Sequence, residues 1–200
     1  MKRITFIIAC ILFMGCQSNE STREEVQEES QEEVRDAIDQ SLIYREKDDI
    51  TYHTNVTYAG EREPCDFIMS AIYGLDELDV ITGEKLQEPS VDVFQLTMHL
   101  KHKGASRPER IVLVTDGTPH ELKPNFTHGV RSGEFMLLFN ISILNHNQSV
   151  PRDICDADSI QVKVRYDNGD VIYNATSEDK KAVETLFKSY KQDGGIDYAS

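Results

Sequence analysis

Four sets of residues have the types and spacing to do chemistry: asparagines in modification sequons, cysteines, histidines and one run of basic side chains. Six of the eight asparagines, Asn19, Asn55, Asn125, Asn140, Asn147 and Asn174, stand in Asn-x-Ser/Thr, the acceptor pattern for N-glycosylation. Ser and Thr make up 26 of the 200 residues, so chance would place about one asparagine of eight in that pattern. The surplus points to a glycosylating secretory pathway. Asn19 is the poorest acceptor, because it would stand at a newly cut terminus.

The cysteines agree with that compartment. Cys10 and Cys16 fall in the apolar leader, which leaves Cys65 and Cys155 as a pair expected to form a disulfide. The loop it would close, about 90 residues, is worth about 4 kcal/mol on the chain-entropy account.

The histidines, His53, His99, His102, His120, His128 and His146, do not form a ligand pattern. On one strand His99 and His102 would face opposite ways, which is poor geometry for a shared metal. No HExxH, paired CxxC, GxSxG or Gly-rich phosphate loop occurs, so neither catalysis nor a cofactor is expected. The fourth set is more distinctive. Lys101, His102, Lys103, Arg107 and Arg110 lie within ten residues that hold a single acid, Glu109, in a chain of net charge −14. A local positive site on an acidic body would steer an acidic extracellular protein or a sulfated glycan. The plainer reading is a hairpin tip whose lysines protect a strand edge.

The amino terminus sets the expected location. Lys2-Arg3 precede the apolar run Ile4–Gly15, and polar sequence begins at Gln17, the layout of a signal peptide too short to span a bilayer. Cleavage after Ser18 satisfies the small-residue rule, with Cys16 at −3. Met14-Gly15-Cys16 also resembles the lipobox of bacterial lipoproteins, which makes acylation at Cys16 and a membrane-anchored product the alternative. Loss of Lys2 and Arg3 leaves 21 − 2 = 19 bases against 35 acids, a charge of −16. That balance opposes nucleic acid as a partner. No second apolar run of spanning length follows.

The expected domains are a signal peptide over 1–18, an acidic and partly helical tail over 19–47, a β-rich domain over 48–192 and a frayed end over 193–200. Val34, Ala37, Ile38 and Leu42 put a thin apolar stripe on a helix over Glu33–Ile43. Strands are expected at Ile50–Tyr58, Cys65–Tyr73, Leu78–Thr82, Val93–Lys103 and Glu109–Thr115, with a turn at Gly74 and a loop over Pro119–Gly133. Gly133–Ser149, the most apolar run beyond the leader, reads as the central strand followed by a polar connection to Asp158. Ser159–Tyr166 and Asp170–Thr176 read as a hairpin turning on Asn168-Gly169, which pairs Tyr166 with Val171 and Val164 with Tyr173. Thr176-Ser-Glu-Asp179 is a capping box, and Val183, Leu186, Phe187 and Tyr190 give the helix behind it one apolar face. In these registers Asn55, Asn140 and Asn174 face outward, while Asn125 and Asn147 fall in loops.

The fold class expected is therefore mostly β: an antiparallel sandwich or barrel of about eight strands, a packed C-terminal helix and an acidic N-terminal tail. Strands followed by a packed helix resemble the lipocalin plan over residues 50–190, which implies a barrel around a small apolar ligand. The chain has no Trp, where that family keeps one near its first strand. An immunoglobulin domain fits poorly, for the same missing Trp and for the long Cys65–Cys155 spacing. The expectation is a secreted, N-glycosylated protein that binds an extracellular partner, with a lipocalin-like small-ligand carrier as the other class.

Overall fold

The computed structural model describes residues 38–63, 65–79, 81–141 and 147–197. The leader, its cleavage site, Cys16, Asn19 and most of the segment read as an acidic helical tail lie outside the described residues.

Among the described residues eleven strands and two α-helices follow one another: β1 Ile43–Asp48, β2 His53–Tyr58, β3 Phe67–Leu78, β4 Lys85–Val91, β5 Phe94–Lys101, β6 Pro108–Thr115, β7 Thr118–Leu122, β8 Phe126–Arg131, β9 Glu134–Ile141, α1 Val150–Asp156, β10 Ile160–Tyr166, β11 Gly169–Asn174 and α2 Ser177–Gln192. All pairings are antiparallel. One sheet runs β1-β2-β3-β5-β9-β8, with β4 on the far part of β3; the other runs β11-β10-β6-β7. Among the described residues neither sheet closes on itself, so the architecture is a sandwich and not the barrel of the lipocalin plan.

Alternation along the strands builds the core. Phe67, Met69, Ala71 and Tyr73 of β3, Phe94, Leu96, Met98 and Leu100 of β5, and Phe135, Leu137, Phe139 and Ile141 of β9 are buried on one face of the large sheet. The small sheet covers one end of that face: Tyr173 stacks on Phe67 at 5.4 Å between ring centroids, and Tyr166 approaches Phe135 at 6.1 Å. The helix α2 covers the other end, with Tyr190 edge-on to Tyr73 and Phe187 edge-on to Phe94. Its first turn carries the expected capping box between Thr176 and Asp179. Asp179 also accepts the Met69 N–H at 2.8 Å and Arg62 Nη1 at 3.1 Å, so one buried carboxylate ties the helix start to the sheet.

Several local readings are corrected. Gly74 does not turn the chain. It lets β3 run on, because a Cβ there would lie 2.3 Å from His53 Cε1, the ring that crosses it. Leu78 ends that strand, and β4, charged and exposed, replaces the strand expected at Leu78–Thr82. Residues 40–42 form a 3-10 turn and Ile43–Asp48 pairs with β2, where a helix over Glu33–Ile43 was expected. The stretch read as a loop, Pro119–Gly133, holds most of β7 and all of β8, which alternate too weakly to be recognised. The polar connection holds α1, started by Pro151. The strand read as central, β9, is next to the edge, with β3 and β5 in the middle. The last hairpin turns on Asp167-Asn168, pairing Tyr166 with Gly169 and Val164 with Val171. This slip of two residues leaves every side chain on its expected face, since strands repeat every two.

Candidate functional site

The open face of the large sheet carries the alternate residues. Its rows follow from the register: Ile68, His99, Met136 and His128 in one, Ser70, Thr97, Leu138 and Phe126 in the next. At the end of the face Lys101 pairs with Glu134, and Glu134 with Arg131. Glu134 is thus held among three bases. Arg131 Nε bonds its carboxylate, Lys101 Nζ lies 3.7 Å away, and His99 Nε2 lies 3.1 Å away in poor hydrogen-bond alignment. Burial pushes the Glu134 carboxyl up, but Arg131, Lys101 and His99 outweigh that and hold it below the usual range.

A close approach of two backbones builds the rim. His102 leaves β5 and donates its N–H to Gly133 O at 2.7 Å, while its ring lies over Tyr166 at 4.9 Å. Gly133 has φ +75°, and a Cβ on it would come within 2.3 Å of His102 O. Only glycine lets the β8–β9 turn seat on this corner. The result is a groove of about 410 Å³ lined by Asp66, Lys101, His102, Lys103 and the turn Arg131–Glu134.

The five basic residues singled out in the sequence are divided by the fold. Lys101, His102 and Lys103 line the groove. Arg107 is exposed on the next loop, which Ser106 pins to Asp167 through its N–H at 3.1 Å and its hydroxyl at 2.5 Å. Arg110 belongs elsewhere: on the outer face of the small sheet it pairs with Glu121 at 3.1 Å and lines a shallow pocket with Lys163, Arg165 and Asp170. Sequence reasoning missed Arg131, Glu134 and Asp66. Arg131-Ser-Gly-Glu134 is a turn signal with opposite charges at its ends, hidden because the segment before it looked like loop.

Asn55 and Asn140 lie half-exposed on the open face of the large sheet, and Asn125 is exposed at the start of β8. Asn125 Oδ1 accepts the Asn140 N–H at 2.7 Å, and Asn55 Oδ1 lies 3.3 Å from His53 Nε2. Asn174 is exposed on the outer face of the small sheet, accepting from Gln161 at 3.1 Å. Asn147 is half-exposed, and its Nδ2 donates to Glu121 O at 3.3 Å.

The expected disulfide is absent; Cys65 and Cys155 are both free thiols. Cys65 lies exposed before β3, with its Sγ directed to Phe67 O at 2.7 Å. Cys155 packs beside the later turns of α2, near Glu184, Lys188 and Lys191, and burial pushes its thiol up to about 11.

His53 offers the other polar arrangement. Its Nδ1 meets Asp76 Oδ1 at 2.6 Å, and Asp76 and Asp92 raise its pKa against the opposing effect of burial. Among the described residues no group of three His, Cys, Asp or Glu side chains is placed to hold a metal. No helix among them is long and apolar enough to cross a membrane. No known protein family, curated protein or solved structure matches this chain.

Proposed function

We propose that this chain is an exported, N-glycosylated binding protein that takes an acidic extracellular partner at the Lys101–Arg131 end of its large sheet. One observation carries the reading: Lys101 and Lys103 at the end of β5 and Arg131 at the end of β8 converge on one groove of a protein with net charge −14. Glu134 and Asp66 offset part of that charge, and Glu134 also orients Arg131, whose side chain is 74% exposed. A guanidinium held through Nε still presents its other donors to an incoming carboxylate or sulfate. Local positive charge on a strongly acidic body orients such a partner at this end of the sheet at short range and makes binding salt-dependent.

The test uses immobilised heparin and immobilised poly-glutamate as probes, with the full chain and its triple variant Lys101→Ser, Lys103→Ser, Arg131→Ser. Retention on either probe that falls with added salt and is lost in the variant supports the groove. Equal retention of variant and wild type removes it.

A second reading, a lipoprotein acylated at Cys16, is favoured by the two free thiols, since an oxidising secretory pathway pairs accessible cysteines. Intact-mass measurement before and after glycosidase, with thiol alkylation, separates the two. Sugar on Asn55, Asn125, Asn140, Asn147 or Asn174 supports the glycoprotein. A diacylglycerol adduct at Cys16 without sugar supports the lipoprotein.

A further inference from the structure

The large sheet ends differently at its two edges. At one edge β1 carries Arg45, Glu46, Lys47 and Asp48; Arg45 pairs with Asp193 at 2.8 Å and Lys47 with Glu77 at 2.7 Å. Charged, tied-down side chains are the usual protection of a free edge. At the other edge β8, Phe126–Arg131, is exposed along its whole length, and the small sheet does not cover its inner side. Its one charged residue, Arg131, stands at the groove. Phe126 is 52% exposed, Val130 51% and the neighbouring Met136 45%, three of the nine large apolar side chains exposed among the described residues. The register with β9 is regular from Phe126 to Gly129 and shifts only between Gly129 and Arg131. Among the described residues no strand pairs with this four-residue stretch on the side away from β9, where every second residue turns its backbone groups outward.

Charge says what kind of strand would fit. From Lys123 to Ser132 the chain holds Lys123, His128 and Arg131 and no acid. A second copy of β8 would set like charges against each other, whereas an acidic segment would be attracted along the whole edge. We propose that β8 accepts an extended, acidic polypeptide segment as an added strand, its apolar residues alternating over Phe126 and Met136 and an acidic side chain reaching Arg131 at the groove. This inference rests on the reading of the groove as the binding site and names the partner class as protein rather than sulfated glycan. Main-chain hydrogen bonds would supply affinity, and alternate side chains specificity.

The test uses a synthetic peptide about eight residues long, with Val at the alternate positions that face Phe126, Glu at the others and Glu also at the position that faces Arg131, and two analogues N-methylated at its odd or even positions. In an added strand only every second residue bonds the edge, so one analogue should lose binding and the other keep it. Hydrogen exchange of the full chain should show new protection of the amides in β8 when the unmodified peptide is present. Arg131→Ser should weaken binding about fivefold, as expected for an exposed ion pair. Circular dichroism of that variant confirms that it folds. If both analogues bind as well as the parent peptide, or β8 gains no protection, strand addition is overturned. Heparin retention that depends on Lys101, Lys103 and Arg131, with no peptide binding, overturns it too while leaving the groove intact. Binding of neither probe removes both.

Discussion

Replacing Gly133 by Ala tests whether the corner under the groove is built by a close approach of two backbones. Two terms act on that residue, and the chain contains a control for each. Gly117 has φ +86° and open space for 4 Å around the place a methyl would take, so Gly117→Ala isolates the backbone term. Holding an L-residue in the left-handed region costs about 1–2 kcal/mol. Gly129 has no such φ and equally open space, so Gly129→Ala should be close to neutral. Gly133→Ala carries the same φ term plus a Cβ 2.3 Å from His102 O and 3.1 Å from Gly104 N. Both obstacles are backbone, and the His102 N–H bond to Gly133 O opposes their retreat. Overpacking of this sort adds about 1–3 kcal/mol, so the total is about 2–5 kcal/mol. Urea unfolding of the three variants and wild type gives the values directly, and each kcal/mol should appear as about 2–4 °C in Tm. Because the shifted turn carries Arg131, heparin retention of Gly133→Ala should also fall while that of Gly117→Ala does not. Equal destabilisation of Gly133→Ala and Gly117→Ala would refute the close approach, and with it the argument for how the groove is shaped.

Two further outcomes follow from the buried polar contacts. Asp179→Ala removes the acceptor of Met69 N–H, Thr176 N–H and Arg62. It leaves a guanidinium whose Nη2 is already buried without a partner among the described residues. The cost should be about 3–5 kcal/mol by urea unfolding, and Arg62→Met in the same background should recover part of it; strict additivity would disprove the coupling. The His53–Asp76 contact makes a pH prediction. Asp76 raises the His53 pKa in the folded chain, so its contribution is complete below the unfolded value of about 6.5 and is lost as pH rises through the folded value. Wild type should lose more Tm than Asp76→Asn on going from acid to mildly alkaline buffer, and parallel curves would count against the pair.

The chain by itself determined which segments alternate, which faces are apolar and where the last helix begins. Phe94, Leu96, Met98 and Leu100 are buried in strict alternation, and the Thr176–Asp179 capping box is present, because both signals need only neighbours two to four residues away. Even the last hairpin, whose turn lies one residue earlier than expected, keeps its expected faces. Tertiary structure decided what depends on distant partners. Gly74 passes inside a strand because His53 lies across it, and β8 is a strand because β9 offers it a ladder, not because it alternates. Number and compartment pair Cys65 with Cys155, yet in the fold both are free thiols, the first exposed before β3 and the second half-buried in α1. The basic run read as one site is split for the same reason. Consecutive residues that cross from one sheet to the other end on different faces, while Lys101 and Arg131, thirty positions apart, meet across Glu134 because antiparallel register brings them into one row.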